Sequence, residues 1–166
     1  MFIPPTEVKK FPKLSHFICE KVILLPRKDP DTYEKFIFTA GISSKEMFFS
    51  VYSMFLPGFP PIIIFEDLLA RFGKTLYGHF QDDIARKHPI LLDTKMAQLF
   101  EDHPTSLRGQ QLVIAKTLHE MVHWAASFFS MRYPKKVPAE GAYELGNLFE
   151  KRVYHKVLQM ADTEWN

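Results

Sequence analysis

The sequence contains few of the features that stabilise a small protein without a large core. Among its 166 residues there is one cysteine, Cys19, so no disulfide can form within the chain. Basic and acidic residues number 21 and 19, a balance that argues against the strongly basic face of a dedicated nucleic-acid-binding protein. No Gly/Ser linker divides the chain. Because 46% of the residues are hydrophobic, we expect an ordinary globular fold around an apolar core.

Long apolar segments are also missing. The longest, near residues 59–65 and 112–115, fall far short of the ~20 residues that a membrane-spanning helix needs. The first ten residues lack a basic region followed by an apolar run, so we expect no cleaved signal peptide. With one cysteine, the chain is expected to be made in a reducing compartment and, if exported, to leave without a cleaved leader.

Twelve prolines divide the sequence into short segments. Helical patterns occupy the first third, where Thr6 and Asp29 are candidate N-caps, Pro12 and Pro26 are candidate helix breaks, and Ser43 or Ser44 is a further candidate cap. The remainder contains three short strand patterns and four helical ones. The strands are predicted at 62–65, 75–80 and 89–92, and the helices at 66–72, 94–102, 107–131 and about 140–162.

These patterns predict an α+β fold, mainly helical with a small sheet. We expect a single domain over residues 1–166, with a helical N-terminal part (1–56) and a catalytic core (57–166).

The most informative motif, His119-Glu-Met-Val-His123, lies inside the longest helical pattern. Two imidazoles four residues apart share one face of a helix and can bind one Zn²⁺. Glu120 then projects beside the metal and can take a proton from its bound water, as in zinc metallopeptidases. Random placement of the chain's residues, 7 His among them, gives about 0.02 occurrences of this motif. We therefore predict Zn²⁺ as the cofactor, His119 and His123 as ligands, and Glu120 as the general base.

A catalytic zinc usually takes a third protein ligand. The positions of the extended metzincin pattern hold Ala126 and Phe129, and no Gly-Thr-x-x-Asp follows the motif. Cys19 lies in a helical pattern rather than in a glycine-rich segment, which disfavours the deformylase arrangement. A glutamate on a later helix, as in gluzincins, remains.

Three glutamates compete for that position, namely Glu140, Glu144 and Glu150. On a helix over residues 140–162, Glu144 falls on the polar side. Glu150 borders the apolar stripe, where a buried carboxylate needs a partner or a metal. Gly146, one turn earlier, lets two helices approach closely. We predict Glu150 as the third ligand, with Glu144 and Glu140 open as alternatives and an ion pair of Glu150 with Lys151 or Arg152 as the non-functional reading.

The run from Leu118 to Trp124, followed by Gly146-Asn-Leu-Phe-Glu150 and Tyr154, resembles the metallopeptidase toxin domains of bacterial polymorphic toxins. The resemblance implies a zincin-like fold, with His119, His123 and Glu150 as ligands and Glu120 as the catalytic base. It also implies synthesis in the bacterial cytoplasm, delivery into a target cell, for instance by type VI secretion, and a cognate immunity protein. The chain has Tyr154-His155 where the family tends to have Tyr-Gly.

The predicted chemistry is hydrolysis of an amide bond by an antibacterial effector. Tyr154 and His155 are candidate donors to the oxyanion, and Tyr154 shares the side of Glu150. The predicted strand at 75–80 is a candidate edge that holds an extended peptide by backbone pairing. The alternatives are a hydrolase of peptidoglycan peptide crosslinks with the same chemistry and a noncatalytic interaction protein stabilised by zinc.

Overall fold

Helices make up most of the described chain, and one small sheet accompanies them. A computed structural model describes residues 1–42, 51–73, 76–80, 89–132 and 144–160. The strands are β1 (Ile63–Glu66), β2 (Gly78–Phe80) and β3 (Ile90–Asp93). The helices are α1 (Pro5–Lys10), α2 (Pro12–Lys21), α3 (Leu25–Lys28), α4 (Pro30–Thr39), α5 (Leu68–Phe72), α6 (Thr94–Asp102), α7 (Leu107–Arg132) and α8 (Leu145–Tyr154), and residues 51–54 are also helical. The predicted α+β class, mainly helical with a small sheet, is confirmed.

Proline and acidic caps set the boundaries of the N-terminal helices. The Asp29 carboxylate accepts the backbone N–H of Thr32 at 3.1 Å, and Pro30 opens α4, as predicted. Two details of the prediction were wrong. Thr6 does not cap α1, because that helix already begins at Pro5, and Pro26 lies in the first turn of α3, where its missing N–H costs no hydrogen bond. The candidate caps Ser43 and Ser44 lie outside the described residues.

The sheet has the strand order β1-β3-β2, with β1 parallel and β2 antiparallel to β3. Asp93, the last residue of β3, accepts the backbone N–H groups of Leu68, Lys95 and Met96, so one carboxylate anchors the starts of α5 and α6. β2 forms an edge of this sheet and packs against α7. The edge strand therefore lies beside the helix that carries the predicted zinc motif.

The last helix is shorter than predicted. It begins only after Glu144, which is its N-cap with φ −77° and ψ 89°, and it ends at His155, whose φ of 62° is left-handed. The prediction of one helix over residues 140–162 was therefore wrong at residues 144 and 155. This error matters for the site, because the helical projection had assigned Glu144 to the polar face.

The core joins the N-terminal helices, the sheet and the two last helices. One cluster of buried apolar side chains extends from Met1 to Leu158, and α8 packs against both α7 and α4 within it. The proposed division at residues 56 and 57 stays a prediction. Among the described residues, no helix has the length and apolarity needed to cross a membrane.

Candidate metal centre

Helix α7 presents the two histidines of the motif on one face. Because His119 and His123 are one turn apart, their rings lie side by side with centroids 5.3 Å apart. Both side chains are mostly buried, and Glu120 is more buried still. Oε1 of Glu120 lies 3.7 Å from Nε2 of His119. One turn of α7 thus brings two imidazoles and a buried carboxylate together.

Glu144 joins this group from the start of α8. Its Oε1 lies 2.6 Å from Nε2 of His123 and 3.3 Å from Nε2 of His119, while its Oε2 accepts the Asn147 backbone N–H at 2.6 Å. The cap hydrogen bond holds the side chain at the helix end. Nearly half of its surface is exposed, at 47%. Ligand atoms of His119, His123 and Glu144 all lie within 4.8 Å of one another.

The chemistry and spacing of these three groups fit a divalent metal ion. Two imidazole nitrogens and one carboxylate oxygen form a donor set that Zn²⁺ accepts, and two donors about 2.0 Å from a tetrahedral ion lie about 3.3 Å apart. The pair formed by His119 Nε2 and Glu144 Oε1 has this separation. The pair formed by His123 and Glu144 is drawn closer by a direct hydrogen bond and has to open.

Glu150 faces the opposite nitrogen of His119. Its carboxylate, for which the sequence predicts partial burial, is fully buried, and Oε1 lies 2.6 Å from Nδ1 of His119. Both oxygens are also within hydrogen-bond distance of Lys116 Nζ, at 2.8 and 3.1 Å, and Oε2 accepts the Leu158 N–H at 2.7 Å. The structure therefore does not bring Glu150 to the Nε2 atoms. Its predicted role as a metal ligand is not tested by this geometry, and Glu144 is the glutamate that lies at the Nε2 atoms.

Lys116 is the residue of this site that the sequence reasoning missed. The predicted ion-pair partners of Glu150 were Lys151 and Arg152, but Lys151 is exposed and Arg152 donates to Thr39 instead. A signal was present in the sequence, because Lys116 is the one charged residue in the otherwise uncharged stretch 112–118, one turn before His119.

Two glycines allow neighbouring backbones to come close to the motif. A Cβ added to Gly146 of α8 would lie 2.1 Å from Cδ2 and 2.2 Å from Nε2 of His119. A Cβ added to Gly78 of β2 would lie 2.7 Å from Cγ and 2.8 Å from Oε1 of Glu120. The close helix approach predicted for Gly146 is confirmed, and β2 covers Glu120 in the same manner.

The carboxylates on either side of His119 control its charge. Burial by itself lowers the pKa of His119, but hydrogen bonds with Glu144 and Glu150 outweigh burial and raise the pKa to about 9. Burial would likewise raise the pKa values of both glutamates, yet the hydrogen bonds with His119, assisted by His123 at Glu144 and by Lys116 at Glu150, bring them below the usual range. Both glutamates are therefore ionised at neutral pH, and a metal at Nε2 has to displace the proton there.

Tyr154 and His155 lie at the end of α8. Burial raises the pKa of Tyr154, and the negative charges of Glu150 and Asp29 raise it further. Its neighbour His155 is exposed. Glu150, which contacts Nδ1 of His119, therefore also raises the pKa of Tyr154. The role of Tyr154 as a donor to the oxyanion stays a prediction. Glu140, the other alternative ligand, lies outside the described residues.

Comparison with known families identifies the chain. A family model described as metallopeptidase toxin 3 matches residues 7–155, which include the motif on α7 and all of α8. Comparison with curated proteins and with solved structures gave no match. The earlier resemblance to metallopeptidase toxin domains is confirmed, since the match covers most of the sequence. The chain belongs to the metallopeptidase toxin 3 family.

Proposed function

We propose that the protein is a zinc-dependent, gluzincin-like metallopeptidase in which His119, His123 and Glu144 hold the metal. The observation that carries the proposal is the convergence of three ligand atoms within 4.8 Å beside the buried carboxylate of Glu120. Two of the ligands come from one turn of α7, and the third comes from the cap of α8. A glutamate on a later helix is the ligand class expected from the sequence, with Glu144 in place of Glu150.

Each residue then has a distinct role. Bound Zn²⁺ supplies the Lewis acidity that polarises a carbonyl and lowers the pKa of water. Glu120 accepts the proton of the attacking water on its carboxylate and delivers it to the leaving amine. Glu150 accepts the Nδ1–H of His119 and so orients the ring with Nε2 toward Glu144. Tyr154 remains the candidate donor to the oxyanion.

Strand β2 supports a peptide as the substrate. It forms an edge of the sheet, and its first residue, Gly78, lies against Glu120. An extended peptide paired with this edge passes beside the carboxylate that moves the proton. We infer that backbone pairing with β2 places the scissile amide at the metal.

The biological role that we propose is that of an antibacterial effector delivered into a target cell, with a cognate immunity protein that protects the producer. A secretion machine, such as a type VI system, is the proposed carrier. The toxin family supports this role. The substrate is a protein or, as the alternative with the same chemistry, the peptide crosslinks of peptidoglycan.

The test is hydrolysis by the purified protein. Isolated sacculi and a whole-proteome extract are incubated with the wild-type protein, with and without a zinc chelator, and with the Glu120→Gln variant. We expect new peptide ends in one of the two substrates, lost with chelator or in the variant. Cleavage that continues in chelator and in Glu120→Gln would contradict the proposal.

Expression in a sensitive bacterium then separates the substrates. The protein is directed either to the cytoplasm or to the periplasm, with Glu120→Gln as the matched inactive control. Growth arrest and lysis restricted to the periplasmic form favour a wall substrate, whereas arrest by the cytoplasmic form favours an intracellular protein. No arrest in either compartment would contradict the toxin role.

A further inference from the structure

Lys116 occupies an unusual position for a charged side chain. Only 6% of its side chain is exposed, and its ammonium group lies within 2.8 and 3.1 Å of the two oxygens of Glu150, which is fully buried. The same ammonium lies 5.6 Å from the centre of the Tyr77 ring, just before β2. Burial of a lysine is costly unless its charge is compensated. Here a carboxylate and an aromatic face both compensate it.

The Glu150 carboxylate accepts hydrogen bonds from three donors. The donors are Lys116 Nζ, the Leu158 N–H and Nδ1 of His119, so α7, α8 and the segment after α8 all meet at this one group. Two of these donors hold the carboxylate, and the third is the ring that the carboxylate orients. If Lys116 is lost, Glu150 keeps a buried charge with fewer donors, and this loss favours a shift of the carboxylate away from its position beside His119.

We propose that Lys116 is a positioning residue for the metal centre, because it holds Glu150 in place and thereby directs Nε2 of His119 toward the metal. This inference rests on the proposed function. Lys116 itself touches neither the metal nor the substrate, and it acts through two successive hydrogen bonds. Residues that orient a metal-binding histidine typically contribute 10–100-fold to metal affinity or activity.

The test compares Zn²⁺ affinity in Lys116→Met, Glu150→Gln, the double variant and Lys13→Met. Methionine keeps the length and flexibility of lysine without its charge. Lys13 is an exposed lysine that donates a hydrogen bond to the Glu101 carbonyl and to no residue of the metal centre. It serves as the matched control. The dissociation constant is measured by competition with a chromogenic chelator. The His119 Nδ1–H resonance of the zinc-loaded protein is recorded by ¹⁵N-edited NMR.

We expect Lys13→Met to bind Zn²⁺ like the wild type, and Lys116→Met to bind about 10–100-fold more weakly. The His119 Nδ1–H resonance should shift or disappear in Lys116→Met. The double variant should bind no more than about threefold more weakly than Glu150→Gln, since residues that act through one another are not additive.

If Lys116 were purely structural, its substitution would lower the free energy of unfolding but leave both the Zn²⁺ affinity and the Nδ1–H resonance unchanged. That result would overturn the inference. The inference would also be overturned if the losses of Zn²⁺ affinity in Lys116→Met and Glu150→Gln multiply in the double variant. If Lys116→Met does not fold, Lys116→Gln replaces it, because a polar amide is tolerated beside a buried carboxylate but is uncharged and shorter than lysine, so it holds Glu150 less firmly. It should bind Zn²⁺ about tenfold more weakly, and wild-type affinity would overturn the inference.

Failure of the proposed function gives a different result. If the wild-type protein binds no Zn²⁺, or if His123→Ala binds it as tightly as the wild type, the ligand assignment is wrong whatever Lys116 does. A wild-type protein that depends on His123 for Zn²⁺ but is indifferent to Lys116 would retain the proposed function and overturn only the inference.

Discussion

The two ring nitrogens of His119 contact two different carboxylates. Our choice of Glu144 rather than Glu150 as the metal ligand rests on this difference. Nε2 faces Glu144, which is 47% exposed at the end of a helix. Nδ1 faces Glu150, which is fully buried and shared with Lys116. Glu144 also contacts Nε2 of His123, so its carboxylate lies where one ion can contact both rings. Glu150 contacts only the opposite nitrogen of His119, which is the position of a residue that orients the ring.

The role that we propose for Glu120 predicts a loss of activity without a loss of metal. Glu120→Gln keeps the shape of the side chain but cannot accept a proton, so the rate constant of hydrolysis should fall by about 10²–10⁴-fold. Zn²⁺ content, measured by atomic emission, should equal that of the wild type. Glu34→Gln, an exposed substitution on α4, is the control and should change neither quantity. Full activity of Glu120→Gln would show that another group moves the proton.

Helix α8 and strand β2 approach the motif from different sides, each with a glycine at the contact. Gly146 lies against a ring that we assign to the metal, and Gly78 lies against the carboxylate that we assign to proton transfer. The two elements should therefore affect different steps. Alanine substitutions at these two positions separate metal binding from catalysis.

Gly146→Ala should weaken Zn²⁺ binding. The new methyl group would lie 2.1 Å from the His119 ring, so either the ring or α8 has to move. We expect Zn²⁺ affinity to fall by about 10-fold or more, since misorientation of a ligand is costly. The control is Lys151→Ala, an exposed position on the same helix, which should bind Zn²⁺ normally. Wild-type affinity of Gly146→Ala would contradict the close packing of α8 on His119.

Gly78→Ala should leave Zn²⁺ binding intact and lower kcat. Its methyl group would lie 2.7 Å from Cγ of Glu120, and the flexible Glu120 side chain can move away without unfolding the protein. A displacement of about 1 Å can cost up to ~10²-fold in rate. Steady-state kinetics and a Zn²⁺ titration measure the two effects. If Zn²⁺ affinity falls as it does in Gly146→Ala, the separation between the two elements is wrong.

The sequence predicted elements well where local signals were strong. The helix at 94–102 and the start of α7 at Leu107 were placed correctly, and Gly73, with φ 67°, ends α5 as expected. The start of α8 was missed because glutamate is not among the favoured N-cap residues, so Glu144 gave no signal that a helix begins after it. That error placed Glu144 on a solvated face.

The third partner of the histidines could not be derived from the pattern alone. The reasoning that a buried Glu150 needs a partner was right, since it accepts from Lys116, His119 and Leu158. The identity of those partners depends on how α7 and α8 cross, which is a tertiary property. The histidine pair, by contrast, follows from the helical period within a single element.

At the scale of the molecule, the metal would join two parts of the core. His119 and His123 belong to α7, Glu144 precedes α8, and α8 also packs against α4 of the N-terminal part. A ligand that binds only the folded state stabilises that state in proportion to its occupancy. The metal should therefore contribute to stability as well as to catalysis.

Zn²⁺ at about 100 times its dissociation constant should add about 2.7 kcal/mol to the free energy of unfolding, which raises Tm by roughly 5–11 °C for a domain of this size. Thermal unfolding followed by circular dichroism measures the shift. His123→Ala should show no shift at the same concentration, and neither should the wild type with Mg²⁺. A Tm that does not respond to Zn²⁺ would mean that the folded protein does not bind it.

The most direct test of the account is the position of the metal itself. Diffraction data from zinc-loaded crystals, collected on both sides of the zinc absorption edge, locate the ion by its anomalous signal. We predict one peak at about 2.0–2.2 Å from Nε2 of His119, Nε2 of His123 and a carboxylate oxygen of Glu144, with Glu150 still on Nδ1. A peak coordinated by Glu150, or one away from the two histidines, would contradict the account.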